Sequence, residues 1–96
     1  MTHSILEPNG LRIETPAGTI LHTGDWKVDP NPLIGGKINS DRLKEIGNEG
    51  VLAMICDSTN VFSMGRSGSE LDVRKNILNL MSNLKKRIIV TSFASN

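Results

Sequence analysis

Apolar and polar residues alternate through "LRIET", residues 11–15, which is the period of a half-buried β-strand. "PAG", residues 16–18, breaks the alternation as a turn, and "TILHT", residues 19–23, resumes it. Two such runs around a short Gly-containing loop predict a β-hairpin. Gly24 ends the second run, and "DPNPLIGG", residues 29–36, has too many prolines and glycines for anything but a loop. A short helix is predicted next: Ser40 caps it, Asp41 sits at its positive end, Leu43 and Ile46 share a face, and Gly47 ends it.

The second half of the chain has a different pattern. "VLAMICD", residues 51–57, is continuously apolar up to its final Asp and predicts a strand buried on both faces. Residues 58–68, "STNVFSMGRSG", predict a loop. A longer helix is predicted from about Gly68. Ser67 and Glu70 have capping-box spacing, and Val73, Ile77, Leu80, Met81 and Leu84 recur on one face. "KKR", residues 85–87, suits the negative end of that helix, and "IIVTSF", residues 88–93, predicts another buried strand. Strand, loop, helix and strand over residues 51–93 make a βαβ unit with parallel strands, so the fold class is α/β. One hairpin and one βαβ unit do not cover both faces of a parallel sheet, and Ser95 and Asn96 are N-cap residues with no helix after them. Both ends therefore read as cut from a longer protein.

Composition narrows the function classes. Ninety-six residues suit one small domain with a modest core. With 11 basic and 10 acidic residues the net charge is +1, so there is no general electrostatic pull on nucleic acid. Two Phe, one Trp and no Tyr do not make a stacking platform for bases. The single Cys56 excludes an internal disulfide and fits a reducing cytoplasm, where it reads as a small hydrophobe. No stretch has the length of a membrane span or the form of a secretory signal.

The candidate chemistry is concentrated in "LHTGDWKVDP", residues 21–30. His22, Asp25 and Asp29, with His3 and Asp57, have the donor types of a zinc or manganese site. Without an HxH or HExxH spacing, the pattern alone favours Asp25 and Asp29 as turn carboxylates and His22 as an ordinary strand-end residue. Asp57, at the end of a strand, is placed either for acid–base or orienting work or for an Asx-turn. "GRSGSE", residues 65–70, has the form of a phosphate-binding loop ahead of a helix, with Arg66 adding charge, or of plain helix capping.

"THSI", "TPAGTILHTGDWKVDP", "DSTNV", "GRSGSE" and "IIVTSFASN", in this order and over almost the whole chain, resemble consecutive blocks of ribonuclease J, a metallo-β-lactamase-fold ribonuclease of the β-CASP group. The resemblance implies a partial metallo-β-lactamase core over residues 1–66 and the start of a β-CASP domain over residues 67–96. It implies that His3 ligates one metal and Asp25 bridges two. Asp57 would be the acidic residue of the first β-CASP motif, orienting a catalytic histidine. His22 matches a common residue that is not a usual ligand. The implied chemistry is hydrolysis of RNA phosphodiester bonds by two divalent ions, zinc or manganese, whose spacing a shared carboxylate fixes at about 3.5–4 Å. Gly24 would let the backbone turn so that Asp25 reaches the metals, and Trp26 would pack beneath. The family's HxHxDH block does not occur in the sequence, and Leu6 stands where Pro usually follows "HSI". The expectation is a cytoplasmic ribonuclease piece, inactive by itself, with RNA and the complementary pieces of a split enzyme as partners. Two other readings stand beside it: a non-enzymatic α/β module binding phosphate or nucleotide at Gly65–Glu70, and a gene remnant without a stable fold.

Overall fold

In the computed structural model, which describes residues 1–92, the chain forms a three-stranded sheet and two helices. Strand β1 (Leu11–Thr15) and β2 (Gly18–His22) pair antiparallel, Thr15 opposite Gly18, so the hairpin loop is Pro16 and Ala17. Thr15 closes this turn with its side chain: its hydroxyl oxygen accepts from the amides of Ala17 and Gly18 and donates to the Gly18 carbonyl at 2.7 Å. Gly18 has φ +143°, and a Cβ there would stand 3.0 Å from that of Leu52. Both the backbone angle and the close approach call for glycine.

From β2 the chain passes through the proline-rich loop and α1 (Ser40–Glu49) to β3 (Ala53–Ile55), which pairs parallel with β2. The sheet order is therefore β1-β2-β3. Helix α1 is capped one residue earlier than its sequence suggests. The Asn39 side chain, rather than that of Ser40, accepts from the Arg42 amide at 2.9 Å. Gly50, with φ +98° and its amide on the Gly47 carbonyl, ends the helix in place of Gly47. An ion pair holds the helix to the hairpin, Arg12 of β1 to Glu49 at 2.7 Å.

The expected βαβ unit is corrected on two points. The parallel crossover is β2-α1-β3, with α1 as its helix. Helix α2 (Glu70–Ser82) has no buried residue, does not pack on the strands, and does not return the chain to the sheet. Residues 88–92 accordingly form no strand. Phe93, and Ser95 and Asn96 with their capping side chains, lie outside the described residues. The strand expected over 51–57 shrinks to three residues, all exposed, because β3 pairs on one side only and no helix covers it.

The shape follows from this. The chain measures 62 × 26 × 24 Å with a radius of gyration of 17.4 Å, against about 12 Å for a compact domain of this length. Ile46 of α1 is the single buried apolar residue among those described, while Ile13, Met54, Ile55, Val73, Ile77 and Leu80 are exposed. The buried positions are mostly polar: Thr2, Thr23, Asp29 and Ser69. Hydrogen bonds and ion pairs, more than a hydrophobic core, hold the described residues in place. Gly18→Ala is expected to cost about 1–3 kcal/mol through strain and the clash with Leu52. Amide hydrogen exchange of Ile20 and Leu21, measured by NMR, should lose protection by about tenfold or more.

Candidate functional site

The segment after β2 carries Asp25 and Asp29 and bonds to the segments that carry His3 and Asp57. Thr23 extends the parallel ladder, its amide donating to the Ile55 carbonyl at 3.0 Å. Gly24 then turns with φ +61°, as its place in the sequence suggests, and a Cβ there would press on the Asn9 carbonyl at 3.3 Å. The Gly24 amide donates to Nδ1 of His22 at 3.0 Å. That bond makes His22 a clasp of the turn.

Beyond the turn the chain is sewn to the N-terminal segment. The Lys27 amide donates to the Thr2 carbonyl at 2.8 Å, and the Thr2 hydroxyl donates to the Gly36 carbonyl at 2.8 Å. The ammonium of Lys27 lies 2.5 Å from Oε1 of Glu70 at the start of α2, 3.3 Å from the Ser4 hydroxyl and 3.6 Å from Oδ2 of Asp29. Ser4 in turn donates to Glu70 at 3.1 Å, and the other Glu70 oxygen accepts from the amides of Leu33 and Ile34. Lys27 first, and then those amides, hold the Glu70 carboxyl down at about 2 in spite of its partial burial.

Asp29 is a turn carboxylate and something more. Its Oδ1 accepts from the Asn31 amide at 2.8 Å, an Asx-turn, and its Oδ2 accepts from the Glu70 amide at 2.9 Å. It therefore caps α2 from 41 residues away. Burial pushes its carboxyl up, but the two amides and Lys27 outweigh that and keep it below the usual range. Both oxygens thus serve the loop and the helix cap, the structural role of a turn carboxylate.

The remaining candidates are His3, Asp25 and Asp57. Nδ1 of His3 is buried and has no hydrogen-bond partner. A buried polar atom left unpaired is costly unless something absent from the chain satisfies it. Asp25 is exposed and makes no hydrogen bond or ion pair among the described residues. It stands two residues from Lys27, whose amide holds Thr2 beside His3. Asp57 sits at the end of β3 in an Asx-turn, Oδ1 accepting from the amide of Thr59 at 2.9 Å and from its hydroxyl. The Thr59 hydroxyl, the Thr59 amide and, more weakly, the nearby His3 hold its carboxyl below the usual value. Trp26 donates its indole N–H to the Asp57 carbonyl at 3.2 Å, tying the Asp25 turn to the Asp57 turn. Trp26, Asp57 and Thr59, with Cys56 and Val61, line a cavity of about 330 Å³, which His3 and Asp25 do not line. No group of three or more His, Cys, Asp or Glu side chains able to hold a metal ion occurs among the described residues.

The "GRSGSE" stretch is occupied by its own side chains. The cap of α2 is Ser69 with Asp72, not Ser67 with Glu70: the Asp72 amide donates to the Ser69 hydroxyl and the Ser69 amide to the Asp72 carboxylate. Both pairs have the same spacing. Glu70 is drawn away by Lys27, which leaves the box to Asp72. The amides of Ser69, Glu70 and Asp72 already face carboxylate or hydroxyl oxygens, which speaks against a phosphate taking the same place.

Comparison with known proteins places the sequence. It is 44% identical over 96 residues to ribonuclease J of Sinorhizobium meliloti, 47% over 96 residues to that of Corynebacterium glutamicum, and 42% over 95 residues to that of Thermus thermophilus. The sequence is ribonuclease J-like along its whole length. It covers 17%, 13% and 17% of those three relatives. No protein-family model matches it, and no solved structure does. Among the described residues no helix is long and apolar enough to cross a membrane.

Sequence reasoning missed Lys27, Ser4 and the tertiary role of Glu70. The only trace of the bridge is a lysine between two aspartates in "DWKVD". The depressed Glu70 carboxyl sets an acid limit. Its unfolded value is near 4.5 and its folded value about 2, so the stabilisation is complete above the first and lost as pH falls toward the second. Acid titration followed by far-UV circular dichroism should show structure lost across that window, and Glu70→Gln should flatten the profile.

Proposed function

We propose that this chain is part of a metal-dependent ribonuclease that hydrolyses RNA phosphodiester bonds in the cytoplasm. The observation that carries the reading is its likeness to ribonuclease J along its entire length. In this reading residues 1–66 are part of a metallo-β-lactamase core and residues 67–96 begin a β-CASP domain.

The donor chemistry fits. His3 offers a buried imidazole nitrogen with no partner, and Asp25 offers an unengaged carboxylate on the strand-end turn. These two residues would hold the ions, zinc or manganese, both of which accept imidazole and carboxylate. When bound, such a pair supplies an activated water and stabilises charge on the phosphate. The chain's own contribution is orientation. Gly24 turns the backbone at the end of β2, directly before Asp25. Trp26 fixes the distance between the Asp25 and Asp57 turns through the Asp57 carbonyl. Asp57 keeps a negative charge beside His3.

Two protein ligands fall short of the three that one catalytic zinc ordinarily takes from protein. The 96-residue chain is therefore expected to bind Zn²⁺ weakly and not to cleave RNA. Calorimetric titration should give a dissociation constant on the order of micromolar or weaker, raised about tenfold or more by His3→Ala or Asp25→Asn. Cleavage of a labelled RNA by the chain alone, at an ordinary enzyme rate, would overturn this expectation.

A further inference from the structure

His3 sits between two residues that Lys27 grips separately: the Lys27 amide holds the Thr2 carbonyl, and the Lys27 ammonium reaches the Ser4 hydroxyl at 3.3 Å. Glu70 completes the grip, accepting from Ser4 and from Lys27 at once. No hydrogen bond to the imidazole Nδ1 itself orients it, since that atom has no partner. The position of His3 is therefore set through its two neighbours: the Lys27 amide holds the Thr2 carbonyl, and the Lys27 and Glu70 side chains hold the Ser4 hydroxyl.

We propose that Lys27 and Glu70 are positioning residues for His3, a Lys27–Ser4–Glu70 clamp that fixes the imidazole for metal binding. The proposal rests on the reading of His3 as a metal ligand. It adds two residues that touch neither metal nor substrate. It also makes α2, through its first residue, part of the apparatus that shapes a site on the strand end. The bridge is half shielded, with side-chain exposures of 33% for Lys27 and 15% for Glu70, so solvent screens it less than a surface pair. Glu70 is further held by the Leu33 and Ile34 amides, so the clamp has a fixed anchor rather than a free carboxylate.

The test uses the full 96-residue chain labelled with ¹⁵N, as wild type, Glu70→Gln, Lys27→Met and Lys27→Arg, with Lys85→Met as a control at an exposed site beyond α2. The first measurement is made without metal. Backbone order parameters of His3 and Ser4 should fall in Glu70→Gln and Lys27→Met, while Ile20 and Leu21 in the hairpin keep theirs. Lys27→Arg should restore most of the order, and Lys85→Met should change nothing. The second measurement adds Zn²⁺ and follows the His3 imidazole. Its apparent affinity should drop about tenfold in Glu70→Gln and recover in Lys27→Arg. Unchanged order at His3 and Ser4 in both disrupting variants overturns the proposal, and so does an equal loss of order at Ile20 and Leu21, which would mark a merely global role. If wild-type His3 does not respond to Zn²⁺ at all, the metal-ligand reading fails, and with it the purpose assigned to the clamp. The metal-free order parameters still report whether the clamp orders His3, so the two failures are distinguishable.

Discussion

The structure depends on the contact between Lys27 and Glu70. At 2.5 Å, with Ser4 and Asp29 close by, it joins four parts of the chain: the N-terminal segment, the turn after β2, the loop at residues 33 and 34, and the head of α2. A lone charged pair in such a half-shielded place gives little net stabilisation, because desolvation opposes the attraction. Here the carboxylate is also satisfied by two backbone amides and a hydroxyl, which shifts the balance toward the charged form. The depressed Glu70 carboxyl is the signature of that balance.

This constraint matters because so little apolar surface is buried. With Ile46 as the single buried hydrophobe among the described residues, packing cannot set the relative placement of helix and sheet. Polar contacts are directional, and they fix the few positions that matter for the strand-end site: the Thr2–Lys27 bond, the Gly24 turn and the Trp26–Asp57 bond. The exposed apolar residues of β3 and α2 have the composition of surfaces that are covered in a larger fold. This agrees with a chain that spans a small share of its relatives' length.

What could be read in the sequence was local. The hairpin to within one residue at its second strand, the Gly24 break, the existence of both helices and the turn roles of Asp29 and Asp57 all follow from patterns within a few residues. What could not be read was long-range. The sequence offers two equivalent capping boxes in "SGSEL D", and only Lys27, 43 residues away, decides between them by claiming Glu70. The apolar run "IIVTSF" has every mark of a strand. A strand is a property of a pair, however, and α2 does not carry residues 88–92 back to the sheet. The continuous apolar run at 51–57 likewise indicates a buried strand, while burial itself depends on elements that the run does not contain. The resemblance to ribonuclease J was legible from motif order, because it joins weak local signals over the whole length.

Trp26 is the chain's only tryptophan, and its indole N–H rests on the carbonyl of Asp57. Intrinsic fluorescence from this protein therefore comes from a single place, the seam where the two acidic turns meet. Its emission maximum and quenching report on that seam without a label, undiluted by signal from elsewhere in the chain.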